Sequence, residues 1–249
     1  VSRFRLPRAL VAASLGLLVS SAACAATRIG IVPLQPGDRA FYDFTSTTYT
    51  PGREDHEDGS FDLVRGKNAT FEFDFLPDGA LNETYRVVLA KDGTVALDIT
   101  SDSDQPPFVL ERFNQVATLV GSTPPAFKSG DSWKTKVNVP LPRGQSVDVP
   151  VLVQVSAAND TDFDIQANGE IKTQLTLPAP TQPNASSGAG APLSSDAGLP
   201  LTLNLQAAVH VVAGKLDKAD GTLHSTVQSR DAVEITSKWT LVAHKPAPN

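Results

Sequence analysis

Apolar residues recur at every second position in segment after segment of this chain, and that period limits what it can build. A strand turns successive side chains to opposite faces, so such a run buries one flank and wets the other. Phe71, Phe73 and Phe75 alternate with Glu72 and Asp74, followed by Tyr85, Val87 and Leu89 and then Val95, Leu97 and Ile99. Asp78-Gly79 and Asp92-Gly93 separate these runs, as hairpin turns would. A second meander is expected from Val149, Val151, Val153 and Val155 through Phe163 and Ile165 to Ile171, Leu175 and Leu177, with Asn168-Gly169 before the last run. The third group has the longest alternation, Leu201 to Val211, and continues through Leu223 and Val227 to Val233, Ile235, Trp239 and Leu241.

The expected fold is therefore all-β, about eleven mainly antiparallel strands, each with one face in water. An apolar sheet face must be covered by another sheet, by closure or by a helix. A curved half-barrel or barrel-like sheet is expected in preference to a two-sheet sandwich. Between Pro107 and Val120, the residues Val109, Phe113, Val116, Ala117 and Val120 have helical spacing, which predicts at most one short helix near 107–120; the competing reading is a strand through Val116 to Val120.

The N-terminus is patterned differently. Arg3, Arg5 and Arg8 precede an apolar stretch from Ala9 to Val19 and the small residues Ser21-Ala22-Ala23-Cys24-Ala25-Ala26, the layout of a bacterial export signal. Residues 1–25 are read as that signal and 26–249 as a single β-rich domain, about 220 residues being a size that one β unit reaches. Cys24 is the only cysteine, so no internal disulfide is expected. Two readings of it stay open: it leaves with the signal, or it is the lipidated first residue of an envelope lipoprotein. The expected location is the periplasm or the cell surface, with a membrane reached only through such an anchor. Losing the three arginines takes the formal charge from −6 to −9, and no basic cluster with interleaved aromatics offsets it, so nucleic acid is not an expected partner.

Two stretches lack a period. Thr50 to Ser60 is polar and acidic, while 178–200 is a Pro/Ser/Ala/Gly-rich segment read as a flexible loop.

No catalytic motif stands out, and no cofactor is implied. If the hairpin after Val211 turns about Asp217, His210 and His224 face each other on the polar side with Glu234 on the next strand, a conceivable two-histidine, one-carboxylate metal site. The plainer reading is a pair of surface histidines, because a one-residue slip would turn either to the other face. Arg53 to Gly59 sets four carboxylates around His56, an oxygen-rich run that calcium loops use, but the ligand spacing of an EF-hand is missing and a solvated turn accounts for it. Asp98, Asp102 and Asp104 read the same way. Gly130-Asp131-Ser132 leads into Trp133 without a nucleophile elbow. Trp239 shares its face with Val233, Ile235 and Leu241 and is expected in the core; the side taken by Trp133 is left open.

The rhythm of long antiparallel strands, one helix and a Gly-Asp-Ser-Trp entry to a strand is similar to that of bacterial envelope proteins with open half-barrels, including carriers of lipids and lipoproteins. No diagnostic motif accompanies the cadence, and it assigns no family. The resemblance implies a concave apolar face that accepts an acyl chain, with the helix and the 178–200 loop as covers. Three functions follow in order: a non-catalytic envelope protein binding a lipid or other apolar or amphiphilic small molecule, a structural or adhesive module contacting another envelope protein, and an envelope hydrolase.

Overall fold

The structure, a computed structural model, describes residues 37, 39–65, 70–77, 83–89, 95–98, 108–124, 126–141, 145–159, 161–176, 198–229 and 231–244. The stretch read as an export signal with Cys24, the turns expected at Asp78-Gly79 and Asp92-Gly93, Asp102 and Asp104, and nearly all of the 178–200 segment read as a loop lie outside them.

Eleven strands and one helix follow in the order β1 (Arg39–Thr50), β2 (Arg53–Arg65), β3 (Thr70–Pro77), β4 (Glu83–Leu89), β5 (Val95–Asp98), α1 (Phe108–Gly121), β6 (Ser132–Leu141), β7 (Gln145–Ala158), β8 (Phe163–Leu175), β9 (Leu199–Val212), β10 (Lys215–Val227) and β11 (Val233–Ala243). All the strands belong to one antiparallel sheet with the spatial order β5-β4-β3-β2-β1-β11-β10-β9-β8-β7-β6. Two meanders meet where β1 pairs with β11, Phe44 opposite Leu241. The sheet is open, with β5 and β6 as its edges, and α1 connects one edge to the other.

The alternation sorts the faces as the sequence implies. Leu201, Leu203, Leu205, Val209 and Val211 of β9 are buried, as are Val149, Val151, Val153 and Val155 of β7. Trp239 is in the same core at 3% exposure. The helix lies in this core with Val109, Leu110, Phe113, Val116, Ala117, Leu119 and Val120 buried. The Phe113 ring meets Phe61 edge-on with centroids 5.7 Å apart and Tyr42 at 6.4 Å, a geometry that aligns ring edges with ring faces. Burial raises the Tyr42 phenol pKa above its ordinary value.

One helix cannot roof such a sheet if it stays flat. Fourteen residues span about 21 Å, whereas eleven strands at their usual spacing run to about 48 Å across. Local devices that bend a strand or bring two strands together are present. Register breaks at Leu216/Lys218 and Val155/Ala157 insert an extra residue and bend the strand. At Gly169 a Cβ would stand 2.6 Å from the Pro150 carbonyl oxygen, so the absence of a side chain lets β7 and β8 approach closely.

Three local expectations are corrected. Asn168-Gly169 is no turn but the middle of β8, the glycine meeting a close backbone. The stretch read as irregular between Thr50 and Ser60 is largely β2, joined to β1 by Pro51-Gly52; Gly52 has φ 78°, the positive angle that a Pro-Gly type II turn requires. The β9–β10 hairpin turns at Ala213-Gly214, with φ 45° and 84°, instead of at Asp217. Two consecutive positive φ angles match the twist of a two-residue type I′ hairpin.

Candidate functional site

The inner face of the sheet changes polarity along β1, β2 and β11. Tyr42 and Phe61 form one inward pair, Phe44 lies opposite Gly59, Ser46 opposite Glu57, and Thr48 opposite Asp55. Ser46 also pairs with Trp239 and Thr48 with Ser237 of β11. Ser46 and Ser237 are both 5% exposed, and the Thr48 and Ser237 hydroxyls are 2.7 Å apart. Aromatic packing thus gives way to hydroxyls and carboxylates toward the Pro51-Gly52 end.

At this boundary the helix contributes Arg112, 3% exposed. Its guanidinium carbon lies 3.9 Å above the centroid of the Phe108 ring, and Nη1 donates to Gln115 Oε1 at 3.1 Å. Arg112 Nε and Gln115 Nε2 are buried donors without acceptors among the described residues. A buried polar group lacking a partner costs about 1–3 kcal/mol, so this pair is a concentrated penalty inside the fold. Burial lowers the Arg112 pKa to about 10, opposed by the charges of Glu111 and Glu57. Both carboxyls are themselves raised, chiefly by burial, with Arg112 pulling the other way. Thr123 Oγ1 and Trp239 Nε1 are further buried atoms without partners.

Across the same end of the inner face, on β8 to β11, the lining is apolar. Leu175 pairs with Leu199, Ile171 with Leu203, Leu201 with Val227, and Val227 with Val233; Ile235 lies opposite Ser225. Leu201 and Leu203 are buried, whereas Ile171, Leu175, Leu199, Val227, Val233 and Ile235 stay part-exposed. The end of the hollow is therefore two-sided, polar over β1 and β2 and apolar over β8 to β11.

The proposed metal ligands are not assembled by the fold. With the turn at Ala213-Gly214, His210 faces Lys218 and His224 faces Asn204. The six-position offset from Lys218 to His224 along β10 separates the two histidines by about 20 Å. His210 contacts the Asp164 carboxylate of β8, and His224 Nδ1 shares a 2.8 Å hydrogen bond with Thr236. Glu234 pairs with Thr226 and projects from the same outer face as His224. No group of three or more His, Cys, Asp or Glu side chains suited to a metal occurs among the described residues. The Arg53–Gly59 run does not converge either. Alternation sends Glu54, His56 and Asp58 outward and Asp55 and Glu57 inward, and His56 is held by Glu54 at 3.2 Å and Thr47 at 3.1 Å.

Trp133, left open by sequence, lies on the inner face, where its Nε1 donates to Ser122 Oγ at 3.0 Å and ties β6 to the end of α1. On the outer face a groove of about 380 Å³ is lined by Thr45, Thr47, Lys218, Asp220, Lys238 and Thr240, among others. It is polar and is not the apolar hollow expected from sequence. Among the described residues no helix is long and apolar enough to cross a membrane.

No protein-family model matches the chain, and no curated protein matches it. Among solved structures, a complex of MucA and MucB from Pseudomonas aeruginosa is similar at 9% identity and a TM-score of 0.19, over 82% of this chain and 89% of that one. At that TM-score the likeness carries no weight for fold or function.

Proposed function

We propose that the chain is an exported, non-catalytic envelope protein that takes an apolar or amphiphilic ligand at the open end of its inner face. The carrying observation is that Ile171, Leu175, Leu199, Val227, Val233 and Ile235, inward-facing apolar residues at one end of the sheet, remain part-exposed. Apolar surface that folding leaves in water is available to a ligand, at about 25 cal/mol for each Å² removed. A polar headgroup is supported by α1, where Arg112 and Gln115 each hold a donor without an acceptor among the described residues, which suits a headgroup bearing hydrogen-bond acceptors. The arginine-headed, small-residue-tailed N-terminus supports export.

The test is organic extraction of natively purified protein followed by mass spectrometry, together with displacement of anilinonaphthalene sulfonate by a monoacyl amphiphile. Co-purifying lipid and competitive displacement are expected. Protein that is lipid-free and takes up no dye would end this reading.

Close packing of the inner face along β6 and β7 favours a second reading, a module that contacts another protein: Val137 and Val149 are fully buried and Val139 is at 1%.

A further inference from the structure

The two edges of the sheet differ in length. β5 has four residues, whereas β6 has ten, all in unbroken register with β7 and none paired on the other side among the described residues. The Val155 amide donates to the Asp131 carbonyl at 2.9 Å, which fixes the phase of the ladder. In an antiparallel pair, alternate residues direct their main-chain groups to the partner. Trp133, Thr135, Val137, Val139 and Leu141 therefore bond toward β7, and Ser132, Lys134, Lys136, Asn138 and Pro140 point their main-chain groups out of the sheet. Pro140 has no N–H, so four consecutive alternate residues offer both a donor and an acceptor to an incoming strand.

Charge decides which strand can pair there. Side chains of Lys134 and Lys136 are exposed on the outer face. In the two-fold register that uses all four outward residues, two copies of β6 would set Lys134 of each copy against Lys136 of the other, and like charges directly opposite repel. Self-pairing is thus opposed, as edge lysines commonly oppose it. A strand with carboxylates at two alternate positions turns both contacts attractive. Its intervening residue would project to the inner face beside Trp133 and Thr135, which are part-exposed and suit an apolar neighbour.

We propose that β6 is a docking edge for an extended acidic segment of another protein, added as a twelfth strand and carrying an acidic–apolar–acidic alternation. This inference is independent of ligand binding in the hollow.

The full chain is titrated with a short N-acetylated peptide of alternating Glu and Val, and hydrogen exchange is followed at single amides. Binding is expected to slow exchange at Lys134, Lys136 and Asn138. It is expected to weaken by about tenfold in the Lys134→Glu, Lys136→Glu double variant, two exposed ion pairs being exchanged for two repulsions. The same variant should instead accept a Lys–Val peptide, and a Glu–Val peptide N-methylated at alternate amides should not bind wild type. Protection at other strands, equal binding of both peptides to wild type, or unchanged affinity after charge reversal would overturn the proposal. Both lysines are exposed, so circular dichroism of the double variant is expected to match wild type, and the acquired Lys–Val binding distinguishes reversal from misfolding.

Discussion

Trp239 lies directly opposite Gly221 across the β10–β11 pair, and its indole fills the space that a side chain at 221 would need. A Cβ there would be 2.4 Å from Trp239 Cζ2 and 2.9 Å from the Gln206 carbonyl oxygen. Gly221→Ala is therefore expected to destabilise the fold by about 1–3 kcal/mol through overpacking. The substitution should cost less on a Trp239→Leu background, where the ring is gone. Urea midpoints of the two singles and the double measure this, and strictly additive effects would refute the contact.

Arg112→Met should leave the protein as stable as wild type or more so, by about 1–4 kcal/mol, because a desolvated guanidinium with a donor unanswered is replaced by a side chain that packs. The same variant should bind an amphiphile with an acceptor-bearing headgroup more weakly while keeping affinity for a plain hydrocarbon. A large loss of stability would show instead that Arg112 is a structural ion whose partners hold the helix in place.

Glu57 and Glu111 have pKa values raised above 4.5 by burial, so the fold favours their protonated forms. Their contribution is fully present below the unfolded value and is lost as pH rises through the raised folded values. Asp162 has the opposite sign. Its carboxylate accepts from the Ala213 amide, Asn159 and Thr161, its pKa lies below 3.8, and its contribution is lost as pH falls through that lowered value. The two windows lie on either side of pH 4. As pH rises above 4.5 the wild type should lose stability, and Glu57→Gln with Glu111→Gln should flatten that decline. Parallel urea-midpoint profiles for wild type and double variant would contradict the burial of these carboxyls.

Ala213 holds φ 45°, a left-handed angle that favours Gly or Asn, at the first central position of a type I′ turn. Ala213→Asn should raise stability by about 0.5–1 kcal/mol while keeping the amide that donates to Asp162 Oδ1 at 2.9 Å. Thermal unfolding measures the gain, and a lowered midpoint would argue against the turn type.

The sheet was legible wherever apolar residues line a buried face, as in β7 and β9, because burial enforces the period of two. It was illegible in β2 for the same reason. There the inward positions Asp55 and Glu57 sit in the polar end of the hollow, and with charges on both faces no alternation remains to read. The β9–β10 hairpin escaped because Val-Val-Ala-Gly continues an apolar run, and the bulge after Leu216 hides the slip, moving His224 away from His210. Gly169 resembles a turn residue in sequence; only the close Pro150 carbonyl shows why a strand needs it. Helical spacing picked out Val109, Phe113, Val116, Ala117 and Val120 correctly. Arg112 and Gln115 do not belong to that stripe, and their burial depends on how α1 packs against strands distant in sequence, which no local pattern encodes.

The pairing of β1 with β11 has a consequence for how the molecule is assembled. Tyr42 meets Ala243 across about 200 intervening residues, so the midline of the sheet is a seam between the first and last of the described strands. Contacts of such high order make folding slow, and until Val233–Ala243 is synthesised each meander displays a long unzipped margin. A chain lacking that segment is therefore expected to present two unpaired strand edges, those of β1 and β10, where the intact sheet has none.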